Sequence, residues 1–318
     1  MRVCGVSTSI QRLNSVRDAL VDKSGHMFYI CSMSGLHIVW FRADLRVHDH
    51  AALRAAALAT ERDGGQVLPL ICLGASKAQD EDMVGALRDL EHALAQRGAK
   101  LHYRAGDAAA CLSELHAHHS ILSLHMHMPR TKDADVQAVE TWCLRAGVPL
   151  RLHQQYCSEE TDWRAFMMAP RFEAPAEMPT ANVGIGERPT SARAEDKLSG
   201  GRATAIKLLR EVLGQVSDLS HIGDQNLQSG EAAFARLEPY LTRGVLSSRE
   251  AWQAALSARQ HYAKAGQDIQ AARIGNLLAC MESFARPQRA SPPNAPRRVS
   301  TGRTDVQMVL DLGAPRAN

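Results

Sequence analysis

Apolar and polar positions alternate between two periods over residues 35–153. The stretch 35–41 (GLHIVWF) is apolar, partly β-branched and aromatic, which predicts a short buried strand. An Ala/Leu-rich helix is predicted over 51–60, and 66–73 (QVLPLICL) reads as a second strand closed by Gly74. Between 82 and 97 apolar residues fall at 83, 84, 87, 90 and 94, one face of a helix stopped by Gly98. The pattern then repeats. Strands are predicted at 100–104, 120–125 and 148–153, with helices at 107–118 and 133–146 between them; Asp107 caps the first helix and Gly147 stops the second. Strand–helix alternation with short connections predicts parallel βαβ units, helices on both faces of one sheet and the first strand near its centre. In such open sheets ligands sit at the carboxyl ends of the strands. The first strand is not followed by G-x-G-x-x-G, so a dinucleotide dehydrogenase loses its main support.

The remaining regions break this rhythm. Residues 1–33 carry charges throughout and read as an irregular extension, with Met27 and Met33 as alternative starts. Residues 158–199 are rich in Pro, Ala, Glu and Gly without a sustained period, an inter-domain linker. Amphipathic helices follow at 203–213, 247–258 and 268–284. Residues 286–318 hold six Arg, two Asp and many Pro, which predicts a disordered basic tail. The domain reading is therefore 1–33 extension, 34–157 α/β domain, 158–199 linker, 200–285 partial helical domain and 286–318 tail.

Composition narrows the class only modestly. Hydrophobic residues make up 45% of the 318 and charged residues 22%, an ordinary globular balance. A net charge of +3 is too small to argue for nucleic acid by itself. The seven Cys are odd in number and form no C-x-x-C pair, which fits reduced thiols and a cytoplasmic protein; no stretch reads as a membrane helix. Six of the 14 His lie between 102 and 127. One group ends a helix and another ends a strand, with no Cys/His ligand spacing, so no metal site is read there.

One string is specific. Residues 40–53 (WFRADLRVHDHAAL) resemble the W-F-R-x-D-L-R-x-x-D-x-x-A-L opening of the photolyase/cryptochrome family. Its signature residues here are Trp40, Phe41, Arg42, Asp44, Leu45, Arg46 and Asp49. Read without the family, Arg42, Asp44 and Arg46 leave the strand able to pair with one another, and Asp49 can cap the next helix. Further stretches resemble the family in the same order: 87–101, 139–148, 162–170, 200–209 and 235–249 (ARLEPYLTRGVLSSR).

The resemblance implies a Rossmann-like α/β domain, with a possible antenna chromophore, followed by a helical FAD domain. It implies light-driven splitting of pyrimidine dimers in UV-damaged DNA by a monomeric flavoprotein, or, alternatively, blue-light sensing without catalysis. Residues Phe234, Ala235, Arg236, Leu237 and Glu238 match the family's FAD segment, but Phe234, Ala235 and Glu238 replace hydroxyl residues. The flavin-facing and catalytic helices of the family have no counterpart after 284, so the chain resembles a C-terminally truncated member. The expectation is weak or absent FAD binding, no repair, and apolar helix faces left exposed over 203–284.

Overall fold

The computed structural model describes residues 19–21, 27–29, 35–74, 81–130, 133–157, 162–181, 183–189, 200–214 and 229–286. Residues 19–21 (β1) and 27–29 (β2) pair antiparallel, where the sequence reading expected irregular chain. Each is a three-residue apolar run, too short for a periodic signal. The tail read over 286–318 lies outside the described residues apart from Arg286.

The next strand, β3 (Leu36–Phe41), is buried along its whole length. It is followed by α1 (Ala51–Asp63), β4 (Gln66–Leu73), α2 (Glu81–Ala95), β5 (His102–Ala105), α3 (Ala108–His118), β6 (Ile121–His127), α4 (Ala134–Ala146) and β7 (Leu150–His153). The five strands β3–β7 form one parallel sheet in the order β5-β4-β3-β6-β7, with β3 at its centre, as the alternation predicts. Helix ends follow local chemistry. Asp107 and Asp133 accept backbone N–H groups at the starts of α3 and α4, and Gly64 and Gly147 take left-handed conformations after α1 and α4.

The sheet divides the interior in two. Leu36, Ile38, Trp40, Leu70 and Leu124 face α3 and α4, while Val39, Phe41, Val67 and Ile71 face α1 and α2. The α1/α2 side continues without interruption into the helical region. That region comprises α5 (Trp163–Met168), α6 (Arg202–Val212), α7 (Gly230–Thr242), α8 (Ser248–Lys264) and α9 (Asp268–Ala285). Its apolar faces are not left open, contrary to expectation. Leu209, Leu237, Leu241, Ile274, Leu277 and Met281 are buried against one another and against the α/β core. Single exposed apolar residues such as Ile269 remain, which is ordinary for a surface.

The described part of 158–199 packs on the sheet. Val67 bonds to both Pro179 and Ala181 through its backbone, Tyr103 N–H donates to Ile185 C=O at 2.6 Å, and Met178 and Ala181 are buried. The segment thereby satisfies backbone groups at the flank of β4 and β5, for which its composition carries no signal.

Between α7 and α8 the chain turns at Gly244, with φ +67°. A Cβ there would stand 2.1 Å from the Ala43 carbonyl oxygen. Gly244→Ala combines a left-handed penalty of about 1–2 kcal/mol with that backbone clash. A lowered thermal midpoint, with the secondary-structure signal otherwise unchanged, is the expected result.

Candidate functional site

A cavity of about 740 Å³ opens at the carboxyl ends of the strands, between the strand that starts the left half of the sheet and the one that starts the right. This is the topological switch point, where doubly wound sheets bind ligands. Trp40, Phe41, Met83 and Tyr156 supply aromatic and apolar wall, and Arg42 and Arg130 supply charge. The volume is in the range of small-molecule and cofactor sites.

Arg42 sits 5.0 Å above the Trp40 ring and pairs with Asp133 at 2.5 Å. Arg130 lies 5.0 Å from the Tyr156 ring centre and 4.0 Å from that of Phe284 on α9. One of its guanidinium nitrogens, Nη2, is buried without a hydrogen-bond partner. A cation so placed favours an electron-rich or anionic group in the cavity.

Asp44 anchors the cavity floor and is 2% exposed. Its Oδ1 accepts the Arg42 N–H at 2.7 Å, and its Oδ2 lies 2.8 Å from His127 Nδ1 and 3.1 Å from His50 Nε2. Burial alone pushes this carboxyl up, but the two imidazoles outweigh burial and hold it well below the usual carboxylate range.

Asp44, His50 and His127 each bring one possible ligand atom within 4.8 Å of the others, a spacing that a metal ion can bridge. The hydrogen bonds argue against one. His50 Nδ1 accepts the Leu53 N–H at 3.0 Å and therefore carries no proton. The neutral ring then keeps its proton on Nε2, 3.1 Å from Asp44 Oδ2, and has no lone pair there for a metal. The cluster is a carboxylate hydrogen-bonded to the His127 imidazole, with the His50 ring 3.1 Å away.

A second polar chain runs along the same sheet face. His37 Nδ1 meets Ser123 Oγ at 2.8 Å, Ser123 Oγ meets His125 Nε2 at 2.8 Å, and His125 Nδ1 meets His153 Nε2 at 3.2 Å. Burial pushes His125 and His127 down to about 3 and His153 to about 4, with neighbouring imidazoles adding to it. These rings are neutral at ordinary pH.

The signature residues divide into two groups. Trp40, Phe41, Arg42 and Asp44 reach the cavity. Leu45, Arg46 and Asp49 instead clamp the loop after β3 to the helical region. Leu45 N–H donates to Arg243 C=O at 3.2 Å, and Arg46 Nη1 donates to Gly244 C=O at 2.8 Å. Asp49 receives Ser247 Oγ and Arg249 Nη2, with Arg249 Nε at 3.1 Å. Two sequence expectations are corrected here. Arg42, Asp44 and Arg46 do not pair side chain to side chain, and the cap of α1 is His50, not Asp49. Asp49 takes φ +50°, which turns its carboxylate away from α1 and toward α8.

Residues 234–238 fall on α7, and none lines the cavity. Phe234 packs its ring 5.8 Å from Phe284, Leu237 is fully buried, and Ala235, Arg236 and Glu238 are exposed. Arg236 is 3.7 Å from Glu211. To a flavin diphosphate this surface offers one already paired guanidinium and one carboxylate, so these residues do not fit that group.

The sequence reading missed His37, His50, Arg130, His153 and Tyr156. One signal was available: Ser123, His125 and His127 alternate and so share one face of β6.

The sequence model of the DNA photolyase family matches residues 37–161. A deoxyribodipyrimidine photo-lyase from Alkalihalophilus pseudofirmus is 25% identical over 261 residues, covering 70% of this chain and 54% of the relative. A Synechocystis sp. PCC6803 cryptochrome superposes with a TM-score of 0.59 at 15% identity, covering 79% of this chain and 60% of that one. An Agrobacterium tumefaciens class III photolyase gives 0.57 at 20% identity, with coverages of 81% and 61%. An archaeal photolyase from Sulfolobus tokodaii, whose structure holds two FAD molecules, gives 0.50 at 17% identity, with coverages of 72% and 58%. The chain thus spans about half the length of the curated relative. Among the described residues no helix is long and apolar enough to cross a membrane. Residues 37–161 thus match the DNA photolyase family model, and the chain has the fold of the photolyase and cryptochrome structures to which it is similar.

Proposed function

We propose that this protein is a photolyase-type chromoprotein. Its cavity takes a planar heteroaromatic chromophore, and the light it absorbs serves the splitting of pyrimidine dimers in UV-damaged DNA. The observation that carries this reading is the cavity at the switch point, with Trp40, Phe41 and Tyr156 in its walls and Arg130 at its edge. Aromatic walls suit a flat conjugated ring, and the Arg130 guanidinium suits an electron-rich or acidic substituent on it. When bound, the chromophore supplies light absorption. The protein's part is to orient the ring, keep water from it and hold Asp44 ionised beneath it.

A second reading, light absorption without repair, is favoured by residues 234–238. Repair in this family draws its electron from FAD, and these residues do not fit the FAD diphosphate.

The purified chain is expected to carry a visible absorption band. Thr242→Trp, at an exposed position on the cavity lining, is expected to remove at least about 90% of that band without loss of folded protein, because the indole occupies the ligand's space. Loss of dimers from an irradiated oligonucleotide under blue light supports repair. An intact band with no loss of dimers supports the second reading. A colourless protein that takes up no flavin, deazaflavin or pterin removes both.

A further inference from the structure

Doubly wound sheets commonly seat phosphates on the amino-terminal turns of the helices at their carboxyl edge, where unpaired N–H groups and the helix dipole meet an anion. In this cavity those turns already hold carboxylates. Asp107 opens α3, and its Oδ1 accepts the Ala110 N–H at 2.8 Å. Asp133 opens α4, and its Oδ1 accepts the Val136 N–H at 3.0 Å, with Asp135 in the same first turn. All three aspartates line the cavity and are exposed, so they stand at its mouth. Helix α2, whose Met83 and Leu87 also line the cavity, opens with Glu81 and Asp82.

The cations of the lining do not offset these charges. Arg42 is taken by Asp133 at 2.5 Å. Burial pushes the Asp133 carboxyl up, but the Arg42 guanidinium and the α4 N–H groups hold it below the ordinary carboxylate value. Asp44 adds a fourth carboxylate to the lining. Arg243, next to Thr242 of the lining, lies 3.6 Å from Asp82. Arg130 is the remaining lining cation, and its guanidinium is stacked between the Tyr156 and Phe284 rings, where it suits a ring carbonyl.

We propose that this cavity selects a chromophore whose side chain is neutral and hydroxylated, and that Asp107, Asp133 and Asp135 refuse the phosphorylated forms of the same ring. The inference rests on the reading that the cavity takes a planar heteroaromatic chromophore. A phosphate at the mouth faces three carboxylates, and the guanidinium nearest them is already paired. Like charges repel, and more strongly where walls exclude water. A neutral side chain meets no such repulsion, and its hydroxyls donate to the same carboxylates. The helix starts thus act as a charge filter: each carries its own anion in the place where a phosphate would sit.

The test uses the full chain freed of bound chromophore, at neutral pH, with riboflavin and FMN as probes. The two share a ring and differ by one phosphate. Quenching of flavin fluorescence reads binding, and its loss in Thr242→Trp places the bound ring in this cavity. Riboflavin is expected to bind at least about tenfold more tightly than FMN. The ratio of the two dissociation constants cancels any change in the cavity that both probes feel. Raising salt from about 0.02 to about 0.5 M should narrow that ratio at least about threefold, because ions screen charge and not shape. Asp107→Asn combined with Asp135→Asn should narrow it likewise, since asparagine caps a helix as well as aspartate does. FMN binding as tight as riboflavin overturns the proposal, because a seat for the phosphate then exists. A ratio that neither salt nor the double variant moves also overturns it, by assigning the discrimination to shape. Uptake of neither probe overturns it as well, and only if deazaflavins and pterins are refused too does the chromophore reading fall with it.

Discussion

Replacing Asp49 with alanine will cost the folded protein about 3–5 kcal/mol, the range for breaking a buried ion pair from one side. Asp49 is 3% exposed and Arg249 is 7% exposed. The carboxylate takes two guanidinium nitrogens, the Ser247 hydroxyl and, at 3.2 Å, the Phe172 N–H. Without it, the Arg249 charge stays buried between the Phe166 and Phe172 rings, 5.2 and 5.1 Å away, with no anion on it. Loss on this scale is a large share of a domain's stability. Urea unfolding will read it as a lower midpoint at unchanged slope. Asp49→Asn separates causes, because asparagine tolerates φ +50° but carries no charge. A loss in Asp49→Asn close to that in Asp49→Ala assigns the cost to the charge. Arg249→Met placed on Asp49→Ala should return part of the stability, since the stranded cation is gone. No loss in either single variant would mean that the clamp does not hold the two regions together.

Stability will also fall steeply as pH drops from about 6.5 toward 4. His125, His127 and His153 have folded values of about 3, 3 and 4, below the ordinary value of 6.5 that the unfolded chain shows. In that window the unfolded chain binds protons that the folded one refuses. Their contribution is therefore complete above pH 6.5 and is lost as pH falls. Each fully buried ring is worth at most about 1.4 kcal/mol per pH unit, and His153, only partly buried, contributes less. Asp44 acts in the same direction at lower pH. Its depressed value gives stability that is present above the unfolded carboxylate value and lost below it. Urea midpoints at pH 7.5, 6 and 5 check this. A midpoint unchanged across that series would show that the rings are protonated in the folded state. His125→Asn should flatten the slope, because it removes one of the refused protons.

The region-spanning clamp and the buried histidines differ from the rest of the fold in how far they could be read beforehand. The sheet was legible because each of its elements carries its own period. Residues 36–41 are apolar except for His37 because β3 is covered on both faces, and 82–97 is apolar every three to four residues because α2 is covered on one. Gly147 and Asp107 mark helix ends by local backbone chemistry that needs no distant partner. The parallel, doubly wound class follows from the alternation itself, and the string at 40–53 lies within the residues that the DNA photolyase family model matches.

Tertiary structure alone decided what the charged and polar residues do. Asp49 and Arg249 are 200 positions apart, and Asp44 and His127 are 83 apart. Neither spacing leaves a trace in composition or period. Asp49 looked like a helix cap because it precedes α1, but its positive φ turned it to α8 and left the cap to His50. Phe234 stood in an anion-binding string, yet its ring had Phe284 to pack against. The physical reason is the same in each case. Periodicity reports which face of an element is dry, whereas a buried polar group must find a particular partner, and that partner is supplied by whichever distant element the fold brings alongside.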